Sequence, residues 1–287
     1  MTSPDQIAVI TGTTHGIGRV TARELVREGL GLVMLCRNVA AAEVLRTQLL
    51  RERPQASISI VHCDLGSLKS VREAASIVLR DFSGIHLLIN NAGIVSLRHR
   101  MSMDGYELTF ATNHLGPFLL TQLLRDRMQV GGRIINVASR AHYRGKLDLE
   151  NLRDPRCRYR PIAAYDRSKL ANVLHTFALA RRLNGSGVTA NCLHPGVVAT
   201  NLLPRWLRVI KPWFTPVTLG EERGARSTLH LALSPEVATA QGLYVDEHQV
   251  PQPASTLAND VTLQEALWQA SMRYTMIGGG ARDASKS

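Results

Sequence analysis

Short apolar runs recur along the chain, and the segments between them place apolar residues every three to four positions. The runs are IAVIT (7–11), LGLVMLC (30–36), SISIVHC (57–63), IHLLIN (85–90), GRIINVAS (132–139) and VTANCLH (188–194), with a last one at GLYVD (242–246). Helical periodicity marks 17–28, 40–53, 68–82, 105–125, 164–183 and 220–233. Each run is close to continuously apolar rather than alternating, as a strand covered on both faces requires. Strand and helix alternate, which is the pattern of βαβ units. The expected architecture is α/β: a doubly wound parallel sheet of about seven strands with helices on both faces.

No sequence period suggests a solenoid, and no Pro/Gly/Ser linker divides the chain. One domain over 1–277 is expected, with 278–287 a frayed tail. The stretch 202–218 breaks the rhythm with three prolines, Trp206, Trp213 and Phe214, and reads as a lid or loop. The formal charge is +11 over 287 residues. The cations are scattered, densest at 153–160 and 205–211, with little aromatic content among them. Nucleic acid is therefore not an expected partner; a polyanionic small molecule is. Cys36, Cys63, Cys157 and Cys192 form no CxxC and no Cys/His pair at ligand spacing, so no metal is expected. Three of them sit in apolar runs, which suits a reducing compartment. The first apolar run is too short to span a bilayer, so the expectation is a cytoplasmic protein with no transmembrane segment.

Directly after the first run stands Thr11-Gly12-Thr13-Thr14-His15-Gly16-Ile17-Gly18, leading into a helical segment. Glycines let the backbone turn sharply and approach a pyrophosphate, and the helix N-terminus offers free N–H groups. Alone such a cluster is weak; between strand and helix it fits a Rossmann-type dinucleotide turn. Gly12, Thr14, His15, Gly16, Ile17 and Gly18 are read as cofactor-binding. Together with NNAG at 90–93 and Tyr165-x-x-x-Lys169, the sequence resembles the short-chain dehydrogenase/reductase family. The motifs span nearly the whole chain in the family's order. Cys36-Arg37-Asn38, Thr112-Asn113-His114-Leu115-Gly116, the long interval from Ser139 to Tyr165 and His194-Pro195-Gly196-Val197-Val198 narrow the resemblance. They are similar to the retinol dehydrogenase and WW-domain oxidoreductase branch.

In this fold the end of the second strand meets the adenosine ribose, where a carboxylate would bond a 2′-hydroxyl and repel a 2′-phosphate. This chain has Arg37 and Asn38 there and no acid. An arginine can grip a phosphate with two charge-assisted bonds, so NADP(H) is expected over NAD, with His15 assisting when protonated. The bland alternative is a solvated Arg37. The resemblance implies Asp64 at the adenine amino group with the Leu65 backbone alongside; the competing reading makes Asp64 a helix N-cap near Ser67. It also implies Asn90 beside the adenosine ribose, with Asn91, Ala92 and Gly93 passing close to the cofactor. Pro195, Gly196, the Val198 backbone and the Thr200 hydroxyl would hold the nicotinamide carboxamide, with a plain N-cap the other reading of Thr200.

Reducing a carbonyl needs a proton donor beside the oxygen. Tyrosine, with a free pKa of ~10, needs a neighbouring cation to serve near neutrality. Lys169 lies four residues after Tyr165 on the same helical face and supplies that cation; the resemblance adds a bond to the nicotinamide ribose. Ser139 ends the fifth strand, on the side where this architecture binds ligands, and its hydroxyl would orient the substrate oxygen; a turn residue is the alternative. In the resemblance Asn113 holds a water that passes protons to the lysine, although a buried core amide is also open. Pro117 is expected to bend that helix. The expected activity is interconversion of a lipophilic aldehyde or ketone with its alcohol, with the aromatics of 202–218 lining the pocket or packing a lid or subunit contact. The alternatives are an NADPH-binding module without turnover and an epimerase or dehydratase. The resemblance further implies a homodimer or homotetramer.

Overall fold

The structure is a computed structural model that describes residues 6–149, 159–196 and 220–276. Its strands are β1 (Ile7–Thr11), β2 (Gly31–Cys36), β3 (Ile58–His62), β4 (Ile85–Asn90), β5 (Met128–Val137), β6 (Thr189–Leu193) and β7 (Tyr244–Val245). The helices are α1 (Gly16–Arg27), α2 (Val39–Glu52), α3 (Leu68–Asp81), α4 (Leu108–Phe110), α5 (Gly116–Leu124), α6 (Pro161–Arg182), α7 (Glu221–Leu233), α8 (Thr256–Asn259) and α9 (Val261–Tyr274). All seven strands are parallel, in the order β3-β2-β1-β4-β5-β6-β7. The strand order reverses between β1 and β4, and the carboxyl ends there form the crevice in which such sheets bind ligands.

Alternation along each strand divides the core in two. Val9, Val33, Leu88 and Ile134 face Phe118, Leu179 and Trp268 on one side. Ala8, Ile10, Met34 and Ile89 face Leu25, Leu45 and Leu231 on the other. This double coverage explains why the strands read as unbroken apolar runs. No helix among the described residues is long and apolar enough to cross a membrane. The expected lid at 202–218 and tail at 278–287 lie outside the described residues.

Three differences from the sequence expectations have physical causes. The segment 105–125 is not one helix: α4 passes into a π turn, Ala111–Leu115, before α5. Pro117 lacks the N–H that would bond the Asn113 carbonyl, so the regular ladder gives way just ahead of it. Helices α8 and α9 carried no predicted element. The α9 face turned to the core includes Gln264 and Ser271 beside Leu267 and Trp268, which blurs the apolar stripe.

Asn90 is the third. Its side chain points into the core rather than towards a ribose. It donates to Thr121 Oγ1 at 3.0 Å and Asn136 Oδ1 at 2.8 Å, and Asn136 donates on to Thr176 Oγ1 at 2.9 Å. Strand parity puts Asn90 on the α5 side with Leu88. Breaking this ladder would strand buried amides at a cost of about 1–3 kcal/mol each.

The core also holds imidazoles. His114 and His175 pack edge to face against each other, with Phe118 and Trp268 around them. Burial pushes His114 down to about 3 and His175 well below its ordinary value. At the end of β6, burial holds His194 at about 4, against the pull of Glu247. The unfolded chain binds protons on these residues from about pH 6.5 downward while the folded chain does not, so stability falls as pH falls. Unfolding free energies from urea titration should drop between about pH 7 and pH 5, reaching roughly 1.4 kcal/mol per pH unit below about pH 6 for each histidine kept neutral. A value that holds steady over that range would contradict these buried neutral rings.

Candidate active site

The crevice is built first from the β1–α1 turn. Gly12 and Gly16 hold left-handed backbone, at φ 72° and 64°, which lets the chain double back into α1. Gly18 leaves no room for a side chain: a Cβ there would lie 2.1 Å from the Gly12 carbonyl oxygen. The turn is stapled to the end of β4. Asn91 donates through Nδ2 to the Thr11 and Gly12 carbonyls at 2.9 and 3.0 Å, and the Asn91 and Ala92 amides both donate to Thr11 Oγ1 at 3.0 Å. Asn91 thus shapes the glycine turn with its side chain. Thr11 Oγ1 was not singled out from the sequence, where a threonine ending a strand carries no signal.

The residues present fit a dinucleotide. Helices α2 and α3 are capped by the side chains of Asn38 and Ser67. By contrast α1 begins at His15 with no side-chain cap, leaving the first-turn amides of Gly16, Ile17 and Gly18 for an anion. The exposed Thr14 hydroxyl and His15 Nδ1 are 3.0 Å apart. At the end of β2, Arg37 is exposed and without an ion-pair or hydrogen-bond partner among the described residues. Asn38 spends its side chain on the Ala41 amide. The cap of α3 is Ser67, which corrects the N-cap reading of Asp64; Asp64 Oδ1 instead takes the Gly66 amide at 2.9 Å, beside the buried Leu65.

The chemical residues converge at the ends of β4, β5 and α6. Ser139 follows β5 and accepts the Ala141 amide at 3.2 Å. Its hydroxyl also faces the Tyr165 phenol and pulls the phenol's pKa down. Lys169 is buried at 3% exposure, with Nζ 5.6 Å from the Tyr165 ring centre and donating to the Val137 carbonyl at 2.7 Å. Asn113, on the π turn, is pinned three ways: Oδ1 accepts the Ile94 amide, and Nδ2 donates to the Ile94 carbonyl and Ser168 Oγ. A Cβ on Gly93 would stand 3.5 Å from both Asn113 Oδ1 and Lys169 Nζ, so these two flank the same small space. Ser168, unnoticed in the sequence, ties Asn113 to α6 and donates to the Tyr165 carbonyl at 2.7 Å.

Electrostatics corrects one expectation. Burial pushes the Tyr165 phenol up to about 12, outweighing the Ser139 hydroxyl and the Arg144 charge, while Asp166 pushes the same way as burial. Burial also pushes Lys169 down to about 8. The ammonium lies over the ring and is held by a carbonyl rather than by the phenol oxygen, so spacing alone does not acidify the tyrosine. Gly196 adopts φ 81° after the buried His194 and Pro195. Val198 and Thr200 lie outside the described residues. A separate cavity of about 760 Å³, lined by Phe177, Arg181, Tyr244 and Gln264 among others, includes none of the expected site residues.

A sequence profile described as short chain dehydrogenase matches residues 6–208. The chain belongs to that family. It is 38% identical to Retinol dehydrogenase 13 of Homo sapiens over 283 residues, 95% of this chain and 85% of that one. A crystal structure of an uncharacterized protein from Mycobacterium Paratuberculosis superposes with a TM-score of 0.79 at 33% identity, covering 95% of this chain and 94% of the other. A blue fluorescent protein from a metagenomic library, solved in complex with NADPH, gives 0.68 at 25% identity and covers 86% and 97%. This short-chain dehydrogenase therefore stands in the retinol dehydrogenase-like branch of an oxidoreductase family that uses nicotinamide cofactors.

Proposed function

We propose that this short-chain dehydrogenase uses NADPH to reduce a lipophilic aldehyde or ketone to the alcohol. The observation that carries the reading is the Ser139–Tyr165 hydroxyl pair with the Lys169 ammonium beside it. Two hydroxyl groups at one point suit a single carbonyl oxygen: Ser139 donates to it and holds its angle, and Tyr165 delivers the proton as charge develops. Lys169 and Asn113 then return a proton to Tyr165 through water. Gly12, Gly16, Ile17 and Gly18 would hold the pyrophosphate and Arg37 the 2′-phosphate. Asp64, Leu65, Ala92, Gly93, Pro195, Gly196, Val198 and Thr200 would hold the rest of the dinucleotide, which supplies hydride when bound.

The preference for NADPH rests on a guanidinium with no partner among the described residues and the lack of a carboxylate after β2, with the NADPH complex of a structural relative in support. The lipophilic substrate rests on the similarity to a protein named a retinol dehydrogenase. A panel of long-chain, aromatic and isoprenoid aldehydes and ketones, run with NADPH and NADH separately, tests both. NADPH should be consumed with at least one of them. Tight NADPH binding with no turnover across the panel would replace the enzyme by a binding module.

A further inference from the structure

Glu107 is wholly buried, a rare place for a carboxylate. Its oxygens accept the Thr109 and Phe110 amides at 2.8 and 2.9 Å, at the start of α4. Arg167 Nη2 stands 3.5 Å from Oε2, and the Tyr159 hydroxyl 3.3 Å from Oε1. The two amides donate to it and the Arg167 guanidinium pairs with its charge, which matches the acceptor-only character of a carboxylate, while the Tyr159 hydroxyl gives its one proton to the Ser96 carbonyl at 2.7 Å. Capping alone does not call for this arrangement. Asn38 and Ser67 cap their helices with short side chains from the surface or near it, with no cation recruited.

Arg167 lies on α6 between Tyr165 and Lys169, its guanidinium 5.7 Å from the Phe110 ring centre. The next residue, Ser168, takes the Asn113 amide. Two adjacent residues of α6 therefore grip the two ends of one segment: Arg167 holds the start of α4 through Glu107, and Ser168 holds the π turn through Asn113. A π turn interrupts the regular α ladder, so the direction of Asn113 depends on what clamps the segment on either side. Without the Arg167 grip the start of α4 is held less firmly, and the direction of Asn113 rests on Ser168 and the Ile94 backbone alone.

We propose that the Glu107–Arg167 pair is a positioning device that fixes Asn113 for proton return to Tyr165, a role that rests on the proton route given above. Neither residue touches the reacting atoms. The full chain is assayed with NADPH and a long-chain aldehyde as wild type, Glu107→Gln and Arg167→Lys. Glu107→Gln should lower kcat by about 10- to 100-fold, with KM and the NADPH Kd within about twofold. Its solvent isotope effect on kcat should rise, because proton return becomes limiting. Arg167→Lys, which keeps the cation, should retain most of the rate. Amide hydrogen exchange across 108–116 should quicken about tenfold in Glu107→Gln, with β1 and β2 unchanged.

An unchanged kcat and exchange would overturn the proposal, as would a lower kcat with an unaltered isotope effect. Should Glu107→Gln fail to fold, Arg167→Met gives the same readings, with loss of kcat and a raised isotope effect expected and wild-type values contrary. Inactivity of the wild type itself would sink the enzyme reading, and the exchange measurement would still decide whether the pair holds the π turn.

Discussion

Replacing Tyr165 by Phe is expected to lower kcat by about 10³-fold or more while leaving NADPH affinity within about twofold. The substitution removes one oxygen and little else. The ring stays beneath the Lys169 ammonium, whose 5.6 Å contact is with the ring face, and Lys169 keeps its bond to the Val137 carbonyl. Ser139 keeps the Ala141 amide as a partner, so its hydroxyl is not left without one. On the proposed route the lost group is the proton donor, and Ser139 is a poor substitute because a hydroxyl of serine is far less acidic. Measurement of kcat and of NADPH Kd by fluorescence separates the two effects. A variant that turns over at the wild-type rate would remove Tyr165 from the chemistry; one that loses NADPH as well would show that the phenol serves the fold of the crevice.

Most of the architecture was legible because parallel strands buried on both faces announce themselves as unbroken apolar runs, and each glycine or polar stop marks an end. Most boundaries moved by a residue or two, but β5 begins four residues earlier than expected, at Met128, and α6 three residues earlier, at Pro161, as hydrogen-bond pairing rather than hydropathy sets them. The failures were where side-chain polarity and position diverge. Asn90 looked like a crevice residue because it opens the NNAG motif, yet β4 parity turns it into the core to meet Asn136. Helix α9 was silent because Gln264 and Ser271 lie on its buried face. The π turn at Ala111–Leu115 follows from Pro117, whose effect on the ladder could be anticipated but not its form. At the site, Ser139, Tyr165, Lys169 and Asn113 do meet. The direction of the Tyr165 shift was not readable from spacing, since it depends on burial and on where the ammonium is tethered.

The second large effect concerns the end of β2. Arg37→Asp is expected to weaken NADPH binding by roughly a hundredfold or more while changing NADH affinity little or improving it. Two physical causes act together. The guanidinium that would pair with a 2′-phosphate is removed, and a carboxylate is placed where it repels that phosphate but accepts a bond from a 2′-hydroxyl. The fold should not suffer, because Arg37 is exposed and has no partner among the described residues that the change would orphan. Asn38 continues to cap α2 through the Ala41 amide, so the helix start is kept. Titrations of both dinucleotides against the wild type and Arg37→Asp, each at two salt concentrations, provide the measurement, since a phosphate contact weakens with salt and a hydroxyl contact does not. Equal NADPH affinity in the two proteins would mean that the cation at this strand end faces water, and that cofactor choice is made elsewhere in the crevice.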